Sequence, residues 1–271
     1  AKDINHVFLT HSHADHITDL PFIIETFFEN RETPLTIYAL EETIEVLKKH
    51  SFNDVIWPDF TKIKLLRKDA FSLILKPIKL DEIIKIHNYS IKAIKANHIS
   101  GACGFVIKKN HQGFVISGDT HINPHIWEEI NNDEEIRSLI IECSYPDKLQ
   151  ELAKLTKHLT PELIANELEK LTRKNLSVFY YHLKPSYNKE LLKDIKKHKL
   201  LTYNGKILKE GDVIHIETGS IESTVLSEHK FEEIMKINLA FSSQHDKNIL
   251  LEDILTLTRN LTNADAGTLY I

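Results

Sequence analysis

Six consecutive residues, His11-Ser12-His13-Ala14-Asp15-His16, carry four side chains able to hold a metal ion. They follow the apolar stretch Ile4 to Leu9, which reads as a short strand. Neutral imidazole and carboxylate are ligands that bind zinc, and alternate positions at a strand end send His11 and His13 the same way. Asp15 and His16, one step further into the turn, face a second ion. One histidine there would read as a polar loop residue opening a helix. Several imidazoles crowded beside a carboxylate in an apolar-flanked turn need a partner. Two adjacent divalent ions support phosphodiester hydrolysis, because a single zinc lowers the pKa of water to about 7 and a pair clamps a phosphoryl oxygen.

The elements that must position this cluster are legible as alternating runs. Phe8, Leu35 to Tyr38, Phe71 to Leu75 and Ile91 to Ile94 lie in β-branched or aromatic stretches that predict strands, with helices over Pro21 to Glu29 and Glu41 to His50. Gly104 to Ile107 and Gly113 to Ile116 flank a polar tetrapeptide and predict a hairpin. A strand follows at Leu139 to Glu142, then helical periodicity at Asp147 to Lys157 and again from Pro161, where Thr160 suits the cap and proline the first helical position. Val178 to Tyr181 predicts a strand ending at His182. A last strand pair is expected at Lys206 to Leu208 and Val213 to Ile216, with glycines near the turns. Alternating strands and helices with hairpins among them predict an α/β sandwich with mixed sheets.

Composition narrows the function classes. The 271 residues hold 34 lysines and arginines against 39 acidic residues, a formal charge of -5, so no basic field drives binding to a polyanion and nucleic acid is not expected as a partner. No apolar run is long enough to cross a bilayer, and no membrane partner is expected. Cys103 and Cys143 cannot make a disulfide framework, which fits a reducing compartment and predicts a cytoplasmic location. Sixteen histidines stand out against eight glycines, and only their placement gives them meaning. The chain opens on Ala1 and directly on a strand, so its natural beginning is expected to lie upstream.

H-S-H-A-D-H resembles the H-x-H-x-D-H signature of the metallo-β-lactamase superfamily. The resemblance implies that His11, His13 and His98 hold the first metal, that Asp15, His16 and His182 hold the second, and that Asp119 bridges them. Within the superfamily the chain is similar to the class II cyclic-nucleotide phosphodiesterases, through Ser117-Gly118-Asp119-Thr120, Leu139 to Pro146, His158-Leu159-Thr160-Pro161 and His182-Leu183-Lys184-Pro185. The similarity runs from about Ile4 to Ile216. One departure is Asp19, where the family usually has glycine, three positions after the motif's last histidine. It touches the local turn and none of the ligands. The family also carries strands ahead of the motif, so part of one sheet of the αββα sandwich is expected to be missing.

What the resemblance implies is hydrolysis of 3',5'-cyclic nucleotides, cAMP or cGMP, to 5'-nucleotides by a hydroxide that two zinc ions activate, with manganese or iron as alternative metals. Asp15 serves as ligand and catalytic carboxylate. His158, oriented by Glu142, is the expected proton donor to the departing 3′ oxygen. Lys184 is placed to neutralise phosphate charge. Two alternatives stay open: another hydrolase of the same fold, such as a tRNase Z-like nuclease or another phosphodiesterase, and a signalling module that binds nucleotide without catalysis. After Gly219 the texture changes. Residues 220–228 read as a linker, and 229–271 as two amphipathic helices and the start of a strand, resembling the opening of a GAF domain, a small-molecule sensing module. The expected organisation is therefore a phosphodiesterase domain over 1–219, a linker, and the first part of a GAF domain, with a homodimer formed through the GAF-linked helices.

Overall fold

The computed structural model describes residues 4–26, 28–173, 175–209, 211–215 and 220–223. In chain order the first half contains β1 (His6–Phe8), α1 (Ala14–Ile17), α2 (Leu20–Glu25), β2 (Leu35–Leu40), α3 (Glu41–His50), β3 (Leu73–Ile78), β4 (Ile83–Ile86), β5 (Tyr89–Lys95), β6 (Cys103–Lys109) and β7 (Gln112–Ile116). The second half contains α4 (Pro124–Asn132), β8 (Ile136–Glu142), α5 (Gln150–Thr156), α6 (Pro161–Leu168), β9 (Ser177–Tyr181), α7 (Asn188–Lys197), β10 (Asp212–His215) and β11 (Ser220–Ser223).

Alternation of side chains across β2 explains how two sheets and two helical layers stack. Leu35, Ile37 and Ala39 pack with Ile24 of α2 and with Ile44 and Leu47 of α3. Tyr38 and Leu40, pointing the other way, pack with Ile84, Ile91, Ala93, Cys103 and Phe105 of the larger sheet. That larger sheet turns its second face, including Val115, Leu139, Ile141, Val178 and Tyr180, toward α4, α6 and α7 through Trp127, Ile164 and Leu191. The order of layers is helix, sheet, sheet, helix. Each fully buried aliphatic or aromatic side chain contributes about 1.5–3 kcal/mol of transfer free energy to this arrangement.

Strand direction decides where the chemistry gathers. The smaller sheet is parallel, in the order β1-β2-β3. In the larger one β4 through β7 pair antiparallel, whereas β7, β8 and β9 are parallel. β5, β7, β8 and β9 therefore all run the same way and end on one edge of the sheet. Beyond the end of β1, Thr10 accepts a backbone hydrogen bond from Cys103 at the start of β6 (2.8 Å), which joins the exit of the smaller sheet to that same edge. Ligands in open α/β sheets bind outside the carboxyl ends of strands, and here both sheets contribute to one such edge.

Several expectations need correction in detail. Val213 and its neighbours pair with Ser220–Ser223 in the β10–β11 hairpin and not with Lys206 to Leu208, because Ile207 bridges Tyr180 in parallel. Both strands of the hairpin belong to a second compact unit. Residues expected as a linker thus begin in a strand, while the remainder of the linker and the GAF-type segment lie outside the described residues. Helix α2 stops at Glu25, short of Glu29. Asp19 precedes it with φ -81°, a right-handed conformation open to any residue, so this turn has no need of glycine.

The link from β8 to α5 is pinned by Asp147. Its Oδ1 accepts the Glu162 backbone N–H (2.9 Å), and its Oδ2 accepts from His198 Nε2 (2.7 Å) and Lys197 Nζ (3.1 Å). Burial alone would raise this carboxyl, but bonds from His198, Glu162 and Lys197 outweigh it and hold its pKa below the usual value of 3.8. A depressed carboxylate stabilises the fold above the unfolded pKa, and that contribution is lost as pH falls through the folded value. Asp147→Asn is expected to cost about 1–3 kcal/mol at pH 7 in urea denaturation. The gap from wild type should close below a pH of about 4. A gap that stays constant into acid would refute this reading.

Candidate metal centre

Each candidate ligand is delivered just beyond a strand or on the first turn after one. The chain leaves β1 through Leu9 and Thr10, so that His11 is buried and Thr10 Oγ1 lies 3.1 Å from His11 Nδ1. His13 stands at the N-terminal cap position of α1, and Asp15 and His16 follow on its single turn. His98 lies in the loop after β5, Asp119 follows β7, and His182 follows β9 with φ 61°. The structure thus brings His98, Asp119 and His182 to the amino-terminal motif.

Three overlapping sets emerge, each with one donor atom per residue within 4.8 Å of the others: His11, His13, His98 and Asp119; Asp15, His16 and His182; and Asp119, His158 and His182. His13 Nδ1 and His98 Nε2 lie 3.1 Å apart, so a proton or a cation must sit between two ring nitrogens that would otherwise face each other as lone pairs. Asp119 Oδ2 sits at the centre of the whole group, 3.3 Å from His16 Nε2, 3.4 Å from His182 Nε2 and 3.8 Å from His11 Nε2. His182 Nε2 is also 3.3 Å from Asp15 Oδ2.

Electrostatics prepare these groups as ligands. Burial, reinforced by the nearby His16, His98 and His13 rings, pushes His11 down to about 3 against the pull of Asp119. Burial likewise lowers His98 to about 4, with His158 and His13 adding to it. Both imidazoles are therefore neutral near pH 7, the form that donates a lone pair to a metal. Asp119 shows the opposite outcome. Burial would raise it, but the close approach of His16 and the charges of His182, His16 and His11 hold it well below the usual carboxylate range. Burial opposes the charging of His16 as well, and there Asp119 and Asp15 prevail and raise its pKa, despite Lys184 close enough to lower it.

Three buried polar atoms in the cluster have no hydrogen-bond partner: His11 Nε2, His16 Nε2 and Asp119 Oδ1. An orphaned buried polar atom costs about 1–3 kcal/mol, and three within one group of imidazoles and carboxylates suit coordination to a cation. The nitrogen and oxygen donors suit zinc, and they accept manganese or iron as well. On this observation the residues present fit a divalent metal centre.

Gly118 sets the aim of Asp119. Its φ is +62°, and an added Cβ would stand 2.6 Å from the Cys103 carbonyl oxygen and 3.2 Å from Thr10 Cβ. Gly118→Ala is expected to destabilise the protein by about 1–3 kcal/mol and to weaken zinc uptake by displacing Asp119. Thermal denaturation of the metal-free chain and a zinc titration read the two effects. An unchanged melting temperature with unchanged zinc affinity would contradict it.

Behind the candidate ligands lies a hydrogen-bond network, of which the sequence points to Glu142 and His158. Glu142, fully buried at the end of β8, accepts from the Thr120 backbone N–H (2.6 Å), from Ser144 Oγ (2.6 Å) and from the Leu159 backbone N–H (3.3 Å). His158 Nδ1 donates to the same carboxylate (2.9 Å). His98 Nδ1 donates to the Lys157 carbonyl (3.1 Å), while Lys157 Nζ returns a bond to the His98 carbonyl (2.5 Å). His121 Nδ1 donates to the His158 carbonyl (2.8 Å). Ser144 and Lys157 were not singled out from sequence. Ser144 lies in a segment quoted only for its likeness, and Lys157 acts chiefly through a backbone carbonyl that no residue type reveals.

Known proteins resemble this chain in sequence and fold. A probable 3',5'-cyclic-nucleotide phosphodiesterase of Yersinia pestis is 27% identical over 217 residues, covering 69% of this chain and 59% of the relative. Curated relatives from two yeasts are covered over 51% and 49% of their length, so the chain spans about half to three fifths of the proteins it matches. The crystal structure of unliganded yeast PDE1 superposes with a TM-score of 0.64 at 24% identity, covering 77% of this chain and 68% of that one. A metallo-β-lactamase fold protein of Bacillus subtilis, YhfI, gives 0.55 at 17% identity over 75% of this chain and 73% of its own, which establishes a metallo-β-lactamase-like α/β fold. Matched over residues 1–206 of 271, the chain belongs to the family of class-II cAMP phosphodiesterases.

Proposed function

We propose that this protein hydrolyses 3',5'-cyclic nucleotides to 5'-nucleotides at the cluster around Asp119. The observation that carries the reading is the convergence of His11, His13, His98, Asp119, Asp15, His16 and His182 on one edge, with orphaned buried donors among them. His11, His13 and His98 would hold one divalent cation and Asp15, His16 and His182 the other, with Asp119 shared. When bound, two such ions supply Lewis-acid chemistry, lowering the pKa of water to about 7 and stabilising charge on phosphoryl oxygens.

The chain's own residues account for the remaining steps. Asp119 and Asp15, both held below their ordinary pKa, stay anionic near neutral pH. Glu142 accepts a hydrogen bond from His158 Nδ1–H, which leaves Nε2 to face the substrate. As the doubly protonated imidazolium, His158 gives its Nε2 proton to the departing 3′ oxygen and is left neutral with its Nδ1–H still bonded to Glu142. Lys184, close enough to act on His16, adds positive charge for a phosphate dianion. No helix among the described residues is long and apolar enough to cross a membrane, and a cytoplasmic location is our reading of the cysteine usage. The amphipathic pattern after Ser223 supports a GAF-type sensor that would regulate turnover and pair two copies of the chain.

The test is an assay of the full chain, stripped of metal and reloaded with zinc, on cAMP, cGMP and an aryl phosphodiester. Release of 5'-nucleotide that disappears on chelation and returns with zinc is expected. Hydrolysis of the aryl ester or of precursor tRNA, with both cyclic nucleotides left intact, would overturn the reading.

A further inference from the structure

Ser144 Oγ is fully buried between two groups with different needs, 2.6 Å from Glu142 Oε2 and 3.0 Å from His182 Nδ1. A hydroxyl has one proton and two lone pairs, whereas a carboxylate only accepts. The Ser144 proton must therefore go to Glu142, the shorter contact, and the hydroxyl lone pair must take the proton of His182 Nδ1. His158 Nδ1 is 3.3 Å from the same oxygen but has its own acceptor in Glu142 Oε1 at 2.9 Å, so it does not compete. The direction of every bond in the chain from His182 to Ser144 to Glu142 follows from this count.

The backbone explains why the three meet. β8 and β9 are parallel, with Glu142 opposite Tyr181 in register, so the residues just past the two strand ends face each other. His182 has φ 61°, a left-handed conformation that a non-glycine residue keeps at some cost, and it directs the ring back over the strand end. With Nδ1 committed to Ser144, Nε2 points to Asp15 Oδ2 at 3.3 Å and Asp119 Oδ2 at 3.4 Å.

The geometry points to Ser144 as a positioning residue: its hydroxyl relays Glu142 to His182 and holds His182 Nε2 toward the cation site formed with Asp15 and His16. This rests on the two-cation reading above. It also predicts an asymmetry between the two sites. His98 Nδ1 is fixed by the Lys157 backbone carbonyl, which no substitution of Ser144 removes. His182 depends on a single side-chain hydroxyl. Outer partners of ligating imidazoles alter metal affinity about 10–100-fold when lost, so the loss should fall on one site alone.

The experiment compares the full-length wild type with Ser144→Ala, by zinc titration of the metal-stripped chains against a competing chelator and by 1H–15N spectra of the histidine side chains in the zinc-loaded state. Two zinc affinities are expected in the wild type, with His182 carrying a slowly exchanging proton on Nδ1. In S144A one affinity should fall about 10–100-fold, the other should hold, and the His182 proton should lose its protection. Equal affinities in both chains with an unchanged His182 signal would overturn the inference. Equal weakening of both sites would also overturn it, since that marks general damage to the fold. Should S144A fail to fold, the wild-type spectrum decides, because a His182 protonated at Nε2 and bound through Nδ1 excludes the relay. Wild type that binds two zinc ions yet leaves cyclic nucleotides intact fails the proposed function and not this inference. Wild type that binds fewer than two fails both.

Discussion

Asp119→Ala is expected to lower hydrolysis of a cyclic nucleotide by about a thousandfold or more, equivalent to about 4 kcal/mol in the barrier, and to reduce zinc uptake in the same preparation. The size follows from position. Asp119 is 2% exposed, belongs to two of the three candidate ligand sets, and its Oδ2 is the acidic atom that His11, His16 and His182 all approach. Alanine removes the only carboxylate in the first set, leaving three imidazoles and no negative charge to hold a dication. It also removes the charge that raises His16, so that ring loses its proton more readily. Zinc content by elemental analysis and product release by chromatography read the two effects together. Full zinc occupancy with near-normal turnover in D119A would show that Asp119 is a buried structural carboxylate and would dismantle the centre as described.

The second large effect is expected at His158, where alanine should cut turnover about 10²–10⁴-fold, the usual contribution of a positioned general acid, while both zinc ions remain bound. His158 is 6% exposed and stacks against His182 with ring centroids 5.5 Å apart, so it borders the cluster closely enough to meet a leaving oxygen. Its Nδ1 is spoken for by Glu142, which is why Nε2 is the nitrogen assigned to proton transfer. A substrate whose leaving group needs no proton, such as a nitrophenyl ester, should lose much less rate in H158A than a cyclic nucleotide does. Equal losses on both substrates would exclude the proton-donor role, and loss of zinc from H158A would recast His158 as a ligand beside Asp119 and His182.

Most of the architecture could be read from local pattern because its strands are buried on both faces or alternate cleanly. Leu35–Leu40 is an apolar run interrupted only by Thr36, and its burial between α3 and the larger sheet is what such a run means. Thr160 caps α6 by accepting from the Leu163 N–H, and proline follows it, as the residue types foretell. Several elements escaped. β4 is four residues long with one buried side chain, too short for alternation to register. Helix α4 is announced only by Asn123, whose side chain accepts from the His125 N–H, and by the proline that follows it. Helix α7 buries only Leu191 and Ile195 among lysines, a stripe narrow enough to pass for a solvated segment.

The candidate site divides in the same manner. His11 to His16 is conspicuous because four metal-competent groups occupy one turn, whereas His98, Asp119 and His182 are single residues recognisable only through the resemblance of the segments around them. The partnership of Glu142 with His158 was anticipated from that resemblance as well. Ser144 lay beyond reach because its role depends on β8 and β9 being parallel and in register, a pairing between segments separated by two helices. The turn at Asp19 was expected to differ from the family's, and its right-handed backbone shows that aspartate serves there without strain.

The backbone bond from Cys103 to Thr10, which brings the two sheets to a common edge, has a bearing on how the molecule is made. Everything needed to capture zinc is dispersed from residue 11 to residue 182, and no contiguous stretch contains a full donor set. A chain emerging from the ribosome offers no full donor set from the first group until Asp119 is in place, and none from the second until His182 is. Such pairings are slow, since loop closure over many residues precedes any gain from contact. Capture of a metal by these residues would thereby wait on long-range pairing rather than on the amino-terminal motif alone, which couples binding to folding.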